Sequence, residues 1–412
     1  MPGNTFGHAL RVTTFGESHG PALGCVVDGC PAGVPLDEAR IAAWLDRRRP
    51  GQSALTSARA EPDRPRLLSG VYQGLTLGSP IAVLVESVDA RPADYAQLMA
   101  SGRDDGADQF RPGHADFTWQ ARYGFRDPRG GGRASARETV GRVAAGAIAE
   151  ALLDALADAE GRPRPAIVAW VQQVGSWVAD APAPETVTDP AFAALSRGHA
   201  IDPLALTRAD VDGHPTRCPD PTAAAAMAAA IADARAAGDS LGGVVRCIVR
   251  GLPAGWGDPV FDKLTGVLAH ALCSLPAVKG VEFGSGFRGA ILAGSVHDDP
   301  FDRLPSGGIG TRFNHAGGML GGITTGMPLL VDVAFKPPST IAQPRAGIGL
   351  QGPPTPLTMQ GRHDPCVLPR AVVLVEAAIA IVLADAALRG GRMPGGPSAA
   401  PPSDPDSAKV PA

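Results

Sequence analysis

The sequence predicts an α+β protein built from two similar halves that fold as one unit. Three observations support this prediction: an internal repeat, helical and strand patterns in both halves, and no stretch with the composition of a linker between domains. A chain of 412 residues is long enough to bury a large core. We therefore expect one domain over residues 1–389, followed by a disordered tail over residues 390–412 that has little apolar surface to bury.

The internal repeat pairs residues 16–33, GESHGPALGCVVDGCPAG, with residues 238–255, GDSLGGVVRCIVRGLPAG, and the two are identical at nine of 18 positions. A helical pattern follows each copy, which favours two similar halves related by a pseudo-twofold axis. Coincidence in a glycine-rich chain is the alternative. Two shorter similarities are more easily explained by coincidence than the long repeat is. They pair Arg111-x-x-His114-Ala with Arg312-x-x-His315-Ala, and Gly132-Arg133 with Gly361-Arg362.

The elements follow from local patterns. The first helix, over 35–49, has acidic residues in its first turn and arginines in its last, which suits the helix dipole. A capping-box pattern from Ser135 to Glu138 precedes apolar residues at helical spacing up to Leu156. Dense β-branched residues predict strands over 23–28, 81–87, 166–173, 243–250 and 329–335, and further helices are predicted over 222–237, 258–274 and 370–388. Loops are predicted at 101–109, 196–221 and 343–356.

Composition excludes several classes of protein. Lys and Arg number 37 against 41 Asp and Glu, so a nucleic-acid-binding role is disfavoured. The six cysteines form no C-x-x-C pair, and we expect free thiols and no metal site. The N-terminus lacks the apolar core of a signal peptide, and the apolar stretch 371–388 is expected to be too short to cross a bilayer. We therefore expect a soluble, cytoplasmic protein with no membrane partner.

The repeat provides a control for one histidine. His19 stands in the first copy where the second copy has Leu241, so the shared backbone does not require an imidazole there. A single histidine is often structural, but this comparison favours a role in proton transfer, for which an imidazole is suited near neutral pH.

Cationic side chains concentrate in glycine-rich segments. Residues 110–139 hold several arginines, His114 and Gly130-Gly131-Gly132 just before a capped helix, a pattern typical of anion sites, although a solvated basic loop remains the alternative. Further candidates are Arg47–Arg49, residues 360–365 (QGRHDP), residues 314–322 (NHAGGMLGG) and residues 334–340 (AFKPPST). Together they predict a cationic pocket for phosphorylated and carboxylated ligands, with histidines for proton transfer.

In this order, the segments FGESHG, RPGHAD, GRASARETVGRVAAG, NHAGG and GRHDPC resemble the chorismate synthase family over about residues 3–389. The resemblance implies a lyase that forms chorismate from 5-enolpyruvylshikimate 3-phosphate by 1,4-anti elimination of phosphate and a ring proton. It also implies reduced FMN, an external flavin reductase with NADPH as the source of electrons, and a homotetramer of β-α-β sandwich subunits with internal pseudo-symmetry.

The resemblance also implies site residues. His19 resembles the histidine that protonates the departing phosphate, His114 the one that serves the reduced flavin, and Asp364 the aspartate that helps remove the ring proton. Substrate or NADPH contacts are implied for Arg48, Arg111 and Arg137. FMN contacts are implied for Arg133, Ala134, Ser135, Pro276, Ala277, Gly321, Lys336, Pro337, Pro338, Ser339, Thr340 and Arg362.

The chain departs from the family pattern at Ala54, where an arginine is usual, and Arg59 is a candidate to compensate. Ala134 replaces a common serine, and Pro128 a common aromatic residue. A non-catalytic flavin- or phosphate-binding relative is therefore the alternative, and an anion- or RNA-binding module is a second. Because His19, His114 and Asp364 are all retained, we expect activity.

Overall fold

The computed structural model describes residues 3–53, 55–56, 61–89, 109–188, 198–304, 308–350, 353–357 and 364–394. Several predicted features lie outside these residues: Ala54, Arg59, Arg362, almost all of the predicted loop at 101–109, and the tail from residue 395 onward.

The helices are α1 (Glu38–Arg48), α2 (Asp116–Tyr123), α3 (Thr139–Ala159), α4 (Arg208–Asp212), α5 (Pro221–Ala236), α6 (Leu264–Cys273) and α7 (Leu368–Arg389). The strands of the first half are β1 (Thr5–Phe6), β2 (Arg11–Phe15), β3 (Ala22–Asp28), β4 (Pro65–Leu67), β5 (Val71–Tyr72), β6 (Leu75–Thr76) and β7 (Ile81–Glu86). Those of the second half are β8 (Ala166–Val174), β9 (Trp177–Val178), β10 (Gly243–Arg250), β11 (Val278–Phe283), β12 (Phe301–Arg303), β13 (Ile309–Thr311), β14 (Met319–Leu320), β15 (Ile323–Thr324), β16 (Leu329–Phe335), β17 (Arg345–Gly347) and β18 (Thr355–Leu357).

Two five-stranded antiparallel sheets form the outer layers, in the orders β1-β2-β3-β7-β4 and β11-β16-β10-β8-β9. The repeat copies supply their central strands, β3 and β10. Each central strand pairs on one side with an earlier strand, β2 or β8, and on the other side with a later strand, β7 or β16. Between the central strand and the later strand the chain forms a helix, α1 or α6, and an edge strand, β4 or β11. Apart from additional elements such as α4 and α5, the halves therefore share the order β-β-α-β-β-α, and the prediction of a pseudo-twofold repeat is confirmed by this topology.

Helices fill the space between the sheets. Helix α3 packs against β2 and β3, α7 packs against β8 and β10, and the two helices pack against each other. Gly146 of α3 makes this close approach possible, since a Cβ there would lie 2.5 Å from the Ala377 Cβ of α7. The layers are sheet, helices and sheet, which is the predicted β-α-β sandwich.

A buried ion-pair network joins the halves around Glu376 of α7, whose side chain is fully buried. Its carboxylate accepts a hydrogen bond from the Ala169 N–H of β8 (3.0 Å) and pairs with Arg47 of α1 and Arg208 of α4. Burial opposes ionisation, but Arg47 and Arg208 lower the pKa of Glu376 below its usual value. A buried charge of this kind is tolerated only when paired in this way.

Helix α7 is longer than the predicted apolar segment, and at 22 residues it is long enough to cross a membrane. The prediction that it is too short for that is therefore wrong. Its most apolar window is 89% buried inside the protein, however, which is the environment of a core helix.

The predicted strands are confirmed within one or two residues, but the starts of two helices and the content of two predicted loops are corrected. Helix α1 begins at Glu38, because Asp37 caps it and the Leu36 N–H is used by the Gly74 carbonyl. Helix α6 begins at Leu264, whose N–H bonds to Gly322 instead of a preceding turn. The predicted loops at 196–221 and 343–356 contain α4 and the paired strands β17 and β18.

Candidate active site

A cavity of about 530 Å³ lies between segments of the two halves. The first half contributes the end of α1, residues 111–118 and residues 130–137. The second half contributes residues 276–279 and 336–340 and the start of α7. Among the described residues, its charged lining consists of one carboxylate, Asp364, and the cations Arg48, Arg111, Arg137, Lys279, Lys336 and Arg370.

Two consecutive glycines leave room for the two candidate catalytic histidines, His19 and His114. A Cβ on Gly130 would lie 2.2 Å from His19 Nδ1, and a Cβ on Gly131 would lie 2.5 Å from His114 Cε1. Both glycines have positive φ, +63° and +84°. Imidazoles therefore occupy the space that side chains at these two positions would take.

His114 is held by Asp116, the first residue of α2. Its Nδ1 lies 2.9 Å from Asp116 Oδ1, and the same carboxylate accepts from Arg111 Nε and Nη2, both at 2.8 Å. The Arg111 backbone N–H donates to it as well, at 3.1 Å. Arg111 thus lines the cavity with part of its guanidinium already engaged by the protein.

These surroundings set the charge of the pair. Burial lowers the pKa of His114 below its usual value, and nearby Arg111 and Lys336 add to this, whereas Asp116 opposes it. Burial disfavours ionisation of Asp116, but hydrogen bonds from Arg111 and His114 hold its pKa well below the usual range. The pair is therefore an ionised carboxylate beside a neutral imidazole at neutral pH.

Lys336 connects the second half to the turn that carries His114. Its Nζ donates to the Gly113 carbonyl (2.6 Å) and to Ser339 Oγ (3.0 Å), and Ser339 Oγ also donates to Gly113 O (2.7 Å). Partial burial and the neighbouring Lys279 lower the pKa of Lys336. In the described part of the chain, neither lysine forms an ion pair with a carboxylate.

Arg48 and Arg137 share a buried carboxylate, Asp63. Arg48 Nη1 lies 2.6 Å from Asp63 Oδ2, and Arg137 Nη1 lies 3.0 Å from Oδ1. Arg137 also pairs with Glu61 at 3.2 Å. Burial together with Arg370 and Arg137 lowers the pKa of Arg48 to about 10, although Asp63 opposes this. The two arginines form a rigid cationic wall.

Asp364 lies four residues before the start of α7 and pairs with Arg370 in the first turn of that helix. Arg370 Nε donates to the Arg48 carbonyl at the end of α1 (3.0 Å), so the ion pair is anchored to the first half. The carboxylate therefore has a fixed place on the cavity wall.

Both repeat copies support this cavity. In the first copy, the Ser18 N–H donates to the Gly132 carbonyl at 3.2 Å. In the second copy, Ser240 Oγ donates to Pro338 O (2.7 Å) and the Leu241 N–H donates to Pro365 O (2.8 Å). Equivalent turns of the two halves thus hold opposite walls.

Most of the residues implied by the resemblance lie on this one cavity: Arg48, Arg111, His114, Ala134, Ser135, Arg137, Pro276, Ala277, Lys336, Pro338, Ser339, Thr340 and Asp364. His19 is buried directly behind the lining residues Ser18 and Gly130. Pro337 is adjacent to lining residues but does not line the cavity. Arg362 lies outside the described residues.

Arg133 and Gly321 do not line this cavity, and their implied contacts with FMN stay a prediction. The Arg133 guanidinium donates to Gly16 O (3.1 Å) and to Thr14 Oγ1 (2.6 Å), so it braces the chain and does not line the cavity. Gly321 lies in the exposed turn between β14 and β15, also away from the cavity lining. The short similarity between Arg111 with His114 and Arg312 with His315 does not reflect equivalent positions in the two halves. The first pair follows β7, whereas the second precedes β16, the strand equivalent to β7.

No role was assigned from the sequence to Lys279, Arg370, Asp63, Glu61 or Asp116. Asp63 and Glu61 pair with Arg137, which lies far along the chain, so no local spacing reveals them. The sequence could have indicated Arg370, because it is a cation in the first turn of the helix that follows Asp364 and can reach that carboxylate.

Comparisons with known proteins agree with this geometry. The family model described as "Chorismate synthase" matches residues 10–388. A chorismate synthase of Synechococcus sp. (strain JA-2-3B'a(2-13)) is 52% identical over 94% of this chain and 93% of its own length. One from Roseiflexus castenholzii (strain DSM 13941 / HLO8) is 47% identical over 94% and 98%. A crystal structure of chorismate synthase superimposes with a TM-score of 0.68 and 30% identity, covering 93% of each chain.

Proposed function

The chain belongs to the chorismate synthase family, and we propose that it converts 5-enolpyruvylshikimate 3-phosphate to chorismate with reduced FMN as its cofactor. The reaction is a 1,4-anti elimination, in which the bond to phosphate breaks and a ring proton is lost, without net oxidation. The observation that carries this proposal is the single cavity to which both halves contribute cations, beside His114 and Asp364.

The charge of the cavity suits this substrate. Two carboxylates and a phosphate cannot be taken from water unless cations and N–H groups replace their hydration. Arg48, Arg111, Arg137 and Arg370 already have carboxylate partners, which fix their positions. Lys279 and Lys336 have no such partner among the described residues and supply the uncompensated positive charge.

The donor set also fits a flavin phosphate and ring. Lys336, Ser135, Ser339 and Thr340 offer a cation and hydroxyl groups, and Pro276 and Ala277 offer an apolar surface. These residues and Ala134 would hold FMN. When bound, reduced FMN supplies electron density to the allylic system while phosphate leaves.

The proton-handling residues follow from their surroundings. His19, behind Ser18 and Gly130, would donate a proton to the departing phosphate oxygen. Asp364, oriented by Arg370, would accept the ring proton. His114, held neutral by its surroundings, would complete the pocket of the reduced flavin. A homotetramer, cytoplasmic location, NADPH contacts at Arg48 and an external reductase belong to the same proposal, because they are family expectations.

An anaerobic assay tests the proposal. Purified protein with dithionite-reduced FMN and 5-enolpyruvylshikimate 3-phosphate should form chorismate, followed by its absorbance, and should not do so with oxidised FMN alone. Lys336→Met should lower kcat/KM by about 10²-fold or more, in line with the loss of a charge-assisted contact of about 3 kcal/mol. Lys263→Met, which removes an exposed lysine outside the cavity, is the control. FMN binding without turnover would instead identify a non-catalytic relative.

A further inference from the structure

Asp116 is the hydrogen-bonding centre of the segment that carries His114. It is 3% exposed, and four N–H or ring nitrogen atoms of Arg111 and His114 lie within 3.1 Å of its carboxylate. The Arg126 guanidinium is a second positive group beside that of Arg111, with its Nη1 3.9 Å from Asp116 Oδ1. A carboxylate so enclosed has one possible orientation.

The distances, together with the ionised state of Asp116, indicate which ring nitrogen of His114 carries the proton. An ionised carboxylate only accepts hydrogen bonds, so His114 Nδ1, at 2.9 Å from Oδ1, must be the donor. Arg111 Nη2 lies 3.0 Å from the same Nδ1 and 2.8 Å from the same Oδ1. His114 Nδ1 and Arg111 Nη2 are therefore both donors, and they lie close together because both donate to Asp116 Oδ1.

The other ring nitrogen of His114, Nε2, faces away from Asp116 and is available to a bound ligand. His114 Nε2 lies against Gly131, 2.9 Å from the position of an added Cβ, on the edge of the ring that is not turned toward Asp116. A neutral imidazole protonated at Nδ1 has its lone pair on Nε2.

We propose that Asp116 is a positioning residue that presents His114 to the cavity as the Nδ1-protonated, neutral tautomer. Asp116 does not line the main cavity, and it acts through His114 and Arg111. The inference rests on the proposed function only for its kinetic consequence, because the tautomer is a property of the protein without ligands.

The substitution that tests this is Asp116→Asn. The amide keeps the size of the side chain, but its NH₂ group can donate to Nδ1 and favour the Nε2-protonated tautomer. We expect kcat to fall by between about 10²- and 10⁴-fold, the range seen when the carboxylate behind a functional imidazole is altered, with KM for the substrate changed by less than about threefold. The titration of His114 should also move to lower pH, because Asp116 raises its pKa.

The direct measurement is magic-angle-spinning NMR of ¹⁵N-histidine-labelled protein, with the His114 signals assigned by their loss in His114→Gln. The wild type should show Nδ1–H and a bare Nε2 at pH 8, and Asp116→Asn should show the reverse. Asp332→Asn is the matched control, because Asp332 also accepts from two nitrogen atoms of one arginine, Arg246 Nε and Nη2, each at 2.7 Å, and contacts no histidine among the described residues. It should leave the His114 signals and kcat unchanged.

Two results would overturn the inference: Nε2–H in the wild type, or an unchanged tautomer and kcat in Asp116→Asn. The first needs no variant, so the inference remains testable if the substituted protein does not fold. Failure of the wild type to form chorismate would overturn the proposed function instead, and the NMR measurement on ligand-free protein would still decide the role of Asp116.

Discussion

At the scale of single residues, the second copy of the repeat suggests a substitution that tests the role of His19. Leu241 occupies the equivalent turn of the second half, where its N–H donates to Pro365 O and Ser240 Oγ donates to Pro338 O, so this position of the repeat accommodates an apolar side chain. His19→Leu should therefore fold with a melting temperature close to that of the wild type and still bind FMN. Its kcat should fall by about 10²- to 10⁴-fold, the usual contribution of a general acid. Loss of folding would show that His19 is structural.

The glycine pair beneath the histidines makes a second prediction at this scale. Gly131→Ala should push His114 out of place and lower kcat by about 10²-fold, the effect of an ångström-scale displacement. Gly132→Ala is the matched control, since Gly132 also has a positive φ (+53°) but a Cβ there would meet nothing closer than 3.7 Å. Equal kcat values for the two variants would show that backbone strain, and not contact with His114, causes the loss.

The sequence predicted which residue types gather in the site but not how they are held. Glycine-rich cationic segments were sufficient to indicate an anion pocket. The pairing of Arg48 and Arg137 through Asp63 was not predictable, because Asp63 lies in an irregular segment with a positive φ of 44°, where no periodicity applies. The roles of Arg133 and Gly321 were inferred from motif position alone, and the structure gives them other surroundings.

At the scale of elements, the contact between α3 and α7 depends on Gly146. Gly146→Ala would place a Cβ 2.5 Å from the Cβ of Ala377 and should cost about 1–3 kcal/mol in the free energy of unfolding through overpacking. Gly266→Ala in α6 has the same gain in helix propensity but open space, with the nearest atom at 4.0 Å, and should stabilise the protein by up to about 1 kcal/mol. Urea unfolding measures both, and a stabilising Gly146→Ala would contradict the close packing.

Five strands and the long helices were predictable because their sequence patterns involve neighbouring residues and extend over many positions. Strands β3, β7, β8, β10 and β16 are rich in β-branched residues, and all were predicted. Strand β11 was missed, since Gly280 interrupts it at an irregularity in its pairing with β16. Helix α2 was missed because it is short and begins within a segment selected for its charges.

At the scale of the whole molecule, the halves should unfold together. Helix α7 packs against α3, and Glu376 pairs with Arg47 of the first half while it accepts from Ala169 of the second. The slowest-exchanging amides of α3 and α7 should therefore open with free energies equal to within about 1 kcal/mol in native-state hydrogen exchange. Two well-separated values would show that the halves are independent domains and would contradict the single domain expected over residues 1–389.

The measurement that tests the central claim most directly is a crystal structure of the protein with FMN and 5-enolpyruvylshikimate 3-phosphate bound together. The account predicts both molecules in the cavity between the halves, with their phosphates near Lys279 and Lys336 and with His114 and Asp364 against the reacting groups. Binding of either molecule to a separate surface, with this cavity left filled by solvent, would contradict it.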